Sequence, residues 1–253
     1  MPRLPGHGAG SAGQGRSGRG SGAVAVPVRR DTIQRARRSA RNFGWARLTT
    51  WDAAERPVNL LSLGNVATPP ERINAGLVTL RRVRATDAGA IAAAVSASMD
   101  YLRPWMPWAN PAAADRRSQL SRVAEADQWW ESGIGFTYSV VTAVGGTLVG
   151  EISLHRRAGD HIGEIGYWIA ASQSGRGYGT AAGAALTVVA LALPGITRTE
   201  IHCDAANGAS AAIARKAGYR LDRIEQREPE APGESGRLMV WVRDRDDPPG
   251  LIE

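Results

Sequence analysis

The stretch that most limits what this chain can become is "GEIGYWIAASQSGRGYGTAAGAAL", residues 163–186. Its first eight residues, 163–170, read as a strand. Glycines follow at 175, 177 and 179, and then a run of small apolar residues suited to a helix. The first N–H groups of a helix have no partner within it, and the helix dipole places positive charge beside them. A glycine turn opening a helix is therefore a seat for an anion. Gly177-Tyr178-Gly179-Thr180-Ala181-Ala182 also fits the G-x-G-x-x-A dinucleotide pattern, with Glu200 or Asp204 at roughly the spacing of about 20 residues such a site wants. The residues before it argue against that fold. "FTYSVVTA" (136–143) and "TLVGEISLHRR" (147–157) flank Val144-Gly145-Gly146, a hairpin signal, so the glycine turn follows antiparallel strands instead of opening a parallel βαβ unit. No Gly-Lys-Ser/Thr follows to make a phosphate loop of the Walker kind. A tight strand-to-helix turn with no ligand is the competing reading of the same glycines.

The rest of the pattern surrounds this turn. "LVTLRRV" (77–83) alternates as a strand, Thr86 is placed to cap a helix over 87–102, and Pro111 to open a second helix ending near Trp129 and Trp130. After the glycine turn come a helix to about Leu193, the strand "TRTEIHCDA", a short helix ending at Ala217-Gly218, and strands around 219–227 and 237–243. The expected order is β-α-α-β-β-β-α-β-α-β-β, a mixed α/β fold whose central sheet is mostly antiparallel.

The net charge of +7 suggests a nucleic-acid partner until it is divided along the chain. Residues 1–72 hold twelve arginines against Asp31, Asp52, Glu55 and Glu71, a balance of +8, which leaves the remaining residues at about −1. The basic character belongs to a Gly/Arg-rich segment, read here as a largely disordered extension over 1–75, ahead of a domain over 76–244 and a tail over 245–253. Weak RNA or ribosome contact is the one role such an extension suggests. No apolar run has the length of about 20 residues that a membrane helix needs. The single cysteine, Cys203, makes neither an internal disulfide nor a metal site by itself. The expectation is a cytoplasmic protein without membrane or metal.

"EIGYWIAASQSGRGYGTAAGAAL", followed by "IHCDAANGASAAIARKAGYRL", resembles the acetyl-CoA-binding part of the GNAT superfamily of N-acetyltransferases, and in particular its RimJ/RimL group. "YLRPWMPWANP" (101–111) is similar to the Leu-x-x-Trp-x-x-Trp segment of that group. The likeness spans about residues 76–244. It departs from the family pattern at Ser174, where a Gln or Arg is usual and Gln173 stands one residue early, and at Ala182, the place of an acidic residue.

The resemblance implies acetyl transfer from acetyl-CoA to a primary amine, most simply the N-terminal α-amine of a protein. A small-molecule amine acetyltransferase is one alternative, and a catalytically weak acyl-CoA-binding module whose arginine tail contacts RNA is another. It implies a pantetheine arm held along Tyr167, Trp168, Ile169 and Ala170, and a pyrophosphate seated on Gly175, Arg176, Gly177, Tyr178, Gly179 and Thr180. Asn207 and Ser210 would meet the pantetheine and the sulfur, although Asn207 is also a plain helix cap. Glu164 is the expected general base, with Glu151 and His155 in reserve. Ser210 would assist the leaving thiolate, because the family's usual tyrosine is replaced by Ala214. Tyr101, Trp105 and Trp108 would border the acceptor, joined by the carboxylates Glu228, Glu230 and Glu234 of "EPEAPGES" (228–235). Cys203 reads as a buried strand residue, and family likeness implies a homodimer.

Overall fold

The structure, a computed structural model, describes residues 68–157 and 161–247. The Arg/Gly-rich stretch 1–67, with the disorder and RNA contact expected of it, lies outside the described residues. Eight strands form one sheet: β1 (Arg72–Asn74), β2 (Val78–Arg82), β3 (Gly135–Thr142), β4 (Leu148–Arg156), β5 (Ile162–Ile169), β6 (Arg198–Asp204), β7 (Arg220–Gln226) and β8 (Arg237–Asp244). Their spatial order is β1-β2-β3-β4-β5-β6-β8-β7. Every pairing is antiparallel except β5 with β6. The helices are α1 (Ala88–Ala97), α2 (Met99–Leu102), α3 (Arg116–Ser132), α4 (Tyr178–Ala192) and α5 (Gly208–Lys216).

The observed order is the expected one with two additions. β1 pairs with β2 and brings Arg72–Asn74 into the sheet, so the sheet starts four residues before the boundary at 76. Three residues are too few to show a period, which is why the pattern missed it. The helix expected over 87–102 breaks at Ser98 into α1 and α2. Pro111 opens a 3-10 turn, and α3 starts beyond it, where the Asp115 carboxylate accepts the Ser118 N–H at 2.8 Å.

Strand alternation separates the two faces of the sheet. Ile152 and Leu154 of β4, Ile165 and Tyr167 of β5, Ile201 and Cys203 of β6, and Met239 and Trp241 of β8 form one core with the small residues of α4 and with Ala214 of α5. Ala181, Ala182 and Ala185 let α4 lie close to the strands. The opposite face carries Glu151, Ser153 and His155, then Glu164 and Trp168, then Glu200 and His202. Trp168 there joins Ile91 and Val95 of α1 and Val123 and Ala126 of α3 in a second core. Trp129 and Trp130 pack, as the sequence reading has them: Trp129 edge-on to His155 at 5.5 Å, and Trp130 against Phe136 and Tyr138 at 5.2 and 5.1 Å.

Where β2 turns into α1, Asp87, not Thr86, organises the helix start. Its carboxylate accepts two N–H groups of Arg81 at 2.7 and 2.8 Å, the Arg84 N–H at 2.9 Å and the Ser139 hydroxyl at 2.9 Å. Burial alone would raise the Asp87 pKa, but these donors outweigh it and hold the group below the ordinary aspartate value. The stability it contributes is full above that ordinary value, about 3.9, and is lost as pH falls through the lower folded value. Asp87→Asn is expected to cost about 2 kcal/mol at pH 7. Thermal unfolding of both proteins from pH 7 to 3 will show the gap closing below about pH 4.

Candidate active site

The site forms where the sheet comes apart. β5 and β6 pair over three residues only, Ile162, Gly163 and Glu164 opposite Arg198, Thr199 and Glu200. Beyond that rung the strands splay into a V, because β5 stays registered to β4 and β6 to β8 along their lengths. The Ala170 N–H reaches Val149 O on β4 at 2.8 Å. By the alternation of an antiparallel ladder, Trp168 and Gly166 also turn their peptide groups toward β4, while Tyr167 and Ile169 turn theirs into the V. Of the four residues expected to hold the pantetheine through backbone groups, these two direct theirs away from β4. The geometry is tight: a side chain at Gly150 would lie 2.0 Å from the Trp168 carbonyl oxygen.

At the open end of β5 the chain turns through Ala171–Gln173 into the glycine loop. Gly175 and Gly177 have φ of +74° and +77°, a region that other residues rarely adopt, and Gly177 is the residue before α4. Gly179 lies within the first helical turn, so two glycines shape the loop and not three. The first helical hydrogen bond is Ala181 N–H to Gly177 O at 3.0 Å. Among the described residues no acceptor takes the N–H groups of Gly175, Arg176, Gly177, Tyr178, Gly179 or Thr180. Six donors at the start of a 15-residue helix, with Arg176 exposed beside them, make an anion cradle.

The acceptor-side segment is fastened to this loop. The Tyr101 hydroxyl hydrogen-bonds to the Ser174 hydroxyl at 2.9 Å, and Ser98 Oγ accepts the Ala171 N–H at 3.0 Å. The structure thus gives the off-pattern Ser174 a partner that the sequence did not indicate. Trp108 is buried against Trp168, ring centroids 6.1 Å apart, and Trp105 packs on the same cluster, so this pair builds core where a channel lining was expected. Within 228–235, Glu234 is drawn inward: it accepts from Arg227 and from the Glu230 N–H, and its side chain is 1 % exposed. That leaves Glu228 and Glu230 as the outward carboxylates of the loop, a correction to the expected trio. The Gly233 N–H donates to Pro104 O at 2.8 Å, and the Asp204 carboxylate accepts the Ser235 N–H and hydroxyl.

On the second arm of the V, the Asn207 carboxamide oxygen caps α5 by accepting the Ser210 N–H at 3.1 Å. The Ser210 hydroxyl is fully buried close to the Cys203 thiol. Burial pushes that thiol up to about 11, against the pull of Ser210 and Trp241, so it is protonated near neutrality. Cys203 is the buried strand residue the sequence reading expects.

The closed end of the V carries the titratable groups. Glu164 Oε2 accepts from Arg157 Nη2 at 2.6 Å and Nε at 3.0 Å. Oε1 of the same carboxylate is buried and accepts nothing among the described residues. The expected base is therefore an ion-paired group with one oxygen committed. His202, not singled out in the sequence, bonds through Nε2 to Glu200 Oε2 at 2.8 Å and places Nδ1 3.7 Å from Glu164 Oε1. The Glu200-x-His202 spacing on one strand was the available signal. Both expected reserves are engaged. Glu151 accepts from Arg122 at 2.6 Å and from the Trp168 indole at 3.2 Å. His155 pairs with Ser153 at 2.9 Å, and burial, opposed by Glu164, lowers its pKa below the ordinary histidine value.

The site is a mixed sheet parted beside a row of helix-start N–H groups, with carboxylates and a histidine at the vertex. Residues 78–220 match the acetyltransferase (GNAT) domain family, and the chain belongs to that family, whose members use acetyl-CoA as acyl donor. Among solved structures it is similar to Mycobacterium smegmatis RimJ in complex with a CoA disulfide, at 25 % identity and TM-score 0.61 over 68 % of this chain and 84 % of that one. It is similar also to the ribosomal-protein α-N-acetyltransferase RimL with coenzyme A, at 20 % identity and TM-score 0.64 over 69 % and 98 %. A third is the microcin C7 self-immunity acetyltransferase MccE with acetyl-CoA and AMP, at 20 % identity and TM-score 0.63 over 71 % and 99 %. No curated protein is significantly similar to this chain in sequence. Among the described residues no helix is long and apolar enough to cross a membrane.

Gly177→Val would force a β-branched residue into φ +77° at the cradle. It is expected to weaken acetyl-CoA binding, measured by calorimetry, by at least about tenfold, because the backbone strain of about 1–3 kcal/mol must be relieved by moving the N–H groups.

Proposed function

We propose that this protein transfers the acetyl group of acetyl-CoA to the N-terminal α-amine of a protein. The single observation that carries the proposal is the V between β5 and β6, which leads from the free N–H groups of 175–180 to a vertex lined by acidic residues. On this reading the loop N–H groups and Arg176 bind the pyrophosphate, and the peptide groups of Tyr167 and Ile169 hold the pantetheine amides as a neighbouring strand would. The amine lone pair attacks the thioester carbonyl carbon, the C–N bond forms and the C–S bond breaks. The sulfur leaves toward the buried Ser210 hydroxyl, which hydrogen-bonds it.

Two further points support an α-amine acceptor. Its pKa, about 7.7–8.0, leaves an appreciable neutral fraction near pH 7, whereas a lysine near 10.4 needs a stronger base. A carboxylate already paired with Arg157 suits the lighter task. Exposure on the acceptor side is also high: Tyr101 is 43 % exposed, and Glu228 and Glu230 of the loop tied to Pro104 through Gly233 face solvent, which fits an extended chain entering with its amine first.

The test pairs full-length protein and acetyl-CoA with a peptide bearing a free N-terminal serine or alanine, with the same peptide already acetylated, and with small amines such as putrescine. The expected product is a peptide carrying one acetyl group on its α-amine, with kcat/KM at least about tenfold above the small amines. A reversed preference would assign the enzyme to small amines. Acetyl-CoA binding without transfer to either would make it a binding module.

A further inference from the structure

Glu164 Oε1 is a carboxylate oxygen in a side chain 8 % exposed, and among the described residues it has no donor. Leaving such an oxygen unpaired in the interior is unfavourable, so it marks a place for a donor that arrives from outside. A second acceptor faces it. Glu200 is held below the ordinary glutamate value: burial opposes this, and it is outweighed by the bond to His202 and the nearby charges of Arg157 and Arg223. An ionised carboxylate only accepts, so in the 2.8 Å contact the donor is His202 Nε2–H. In the neutral ring that leaves the lone pair on Nδ1, 3.7 Å from Glu164 Oε1, too far for any direct bond. Arg157 Nη2 stands 3.4 Å from Nδ1 and 3.3 Å from Nε2, so it lies off the lone-pair axis of either nitrogen while bonding strongly to Glu164 Oε2.

Resting on the acetyl-transfer reading above, we infer that Glu164 Oε1 and His202 Nδ1 together receive the ammonium group of the acceptor, and that His202, oriented by Glu200, removes its first proton. A nitrogen about 2.9 Å from each of two acceptors at this separation subtends roughly 80°. Two N–H bonds of a tetrahedral ammonium then meet both acceptors at angles above about 150°. Both groups stand on one sheet face where the strands part: Glu164 is on the last rung, opposite Glu200, and His202 lies two residues beyond it on β6. The groups facing the ring are Glu200 and Glu164, Arg157 from the end of β4, and Arg223 from β7, 3.9 Å from Glu200 Oε1. His155 lies one strand away opposite Glu164. In the reaction one ammonium proton passes to Nδ1 and the freed lone pair attacks the carbonyl carbon. As the C–S bond breaks, the second proton goes to the departing sulfur, and His202 later returns its proton to solvent.

The test uses full-length protein with 15N-labelled histidine, saturated with acetyl-CoA, and follows the His202 ring by NMR as serinamide, a minimal α-ammonium, is added under conditions too brief or too cold for turnover. The expected results are a ring with its proton on Nε2 and an Nδ1 resonance that moves with serinamide. The resonance should not move with the trimethylated analogue, which has no N–H to donate, nor with serinamide in Glu164→Gln. In His202→Gln, acetyl-CoA affinity should stay within about twofold of wild type, while peptide acetylation falls about 100-fold. If serinamide leaves the Nδ1 resonance in place, or His202→Gln acetylates at the wild-type rate, while acetyl-CoA binds normally, the assignment of His202 is overturned and the transferase reading stands. If acetyl-CoA itself fails to bind, both fall together.

Discussion

The parting of β5 from β6 after three rungs is the constraint around which this structure is arranged. Inside a sheet each strand satisfies its peptide groups on both sides, and unpaired N–H and C=O groups in a buried position are unfavourable. Here β5 is fully paired to β4 and β6 to β8, so the sheet is two well-formed pieces joined at a short seam. Past the seam, Tyr167 and Ile169 direct their peptide groups away from β4, on the side where β6 has left. The V also fixes which side chains meet, since its last rung places Glu164 beside Glu200.

Around that opening the chain is held by hydrogen bonds between segments far apart in sequence. Ser98 and Tyr101 tie the start and end of the α1–α2 break to the glycine loop, and Pro104 ties the next turn to Gly233. Asp204, at the tip of β6, holds Ser235. The donor loop and both walls of the acceptor side are therefore positioned before any ligand enters. Such pre-organisation lowers the ordering cost of binding and keeps reacting groups in register. The polar face of the sheet is arranged in the same spirit. Glu151 is paired with Arg122, and Glu164 and Glu200 both with Arg157, so that charge in the interior is paired almost throughout. The unpaired Glu164 oxygen is conspicuous against that background.

Much of the architecture was legible because it rests on local rules. The hairpin at Val144-Gly145-Gly146, the change of period from β5 to α4, and the glycines that need positive φ each announce themselves within a few residues. The elements missed were those too short to carry a period, β1 and α2, and the helix start moved to Asp87 because Arg81 of β2 pairs with it. The site was legible in part. The glycine turn is a local object, legible as backbone geometry, whereas the surroundings of Glu164, Glu234, Trp105 and Trp108 depended on partners 7 to about 60 residues away. His202 went unnoticed because a histidine beside a glutamate on an alternating strand looks like any other pair until the sheet order is known.

By itself the sequence determined the alternation of each strand, the hairpin, the glycine turn that frees N–H groups at the start of α4, and the charge balance that separates the first 72 residues from the rest. These follow from backbone sterics and side-chain chemistry within a turn or two. Only the tertiary structure decided that β6 runs parallel to β5 for three rungs and then leaves it, and that Arg157 takes one oxygen of Glu164 while the other faces His202. Those are distances between segments, set by how two twisted pieces of sheet pack against their helices, and no single stretch of the chain encodes them.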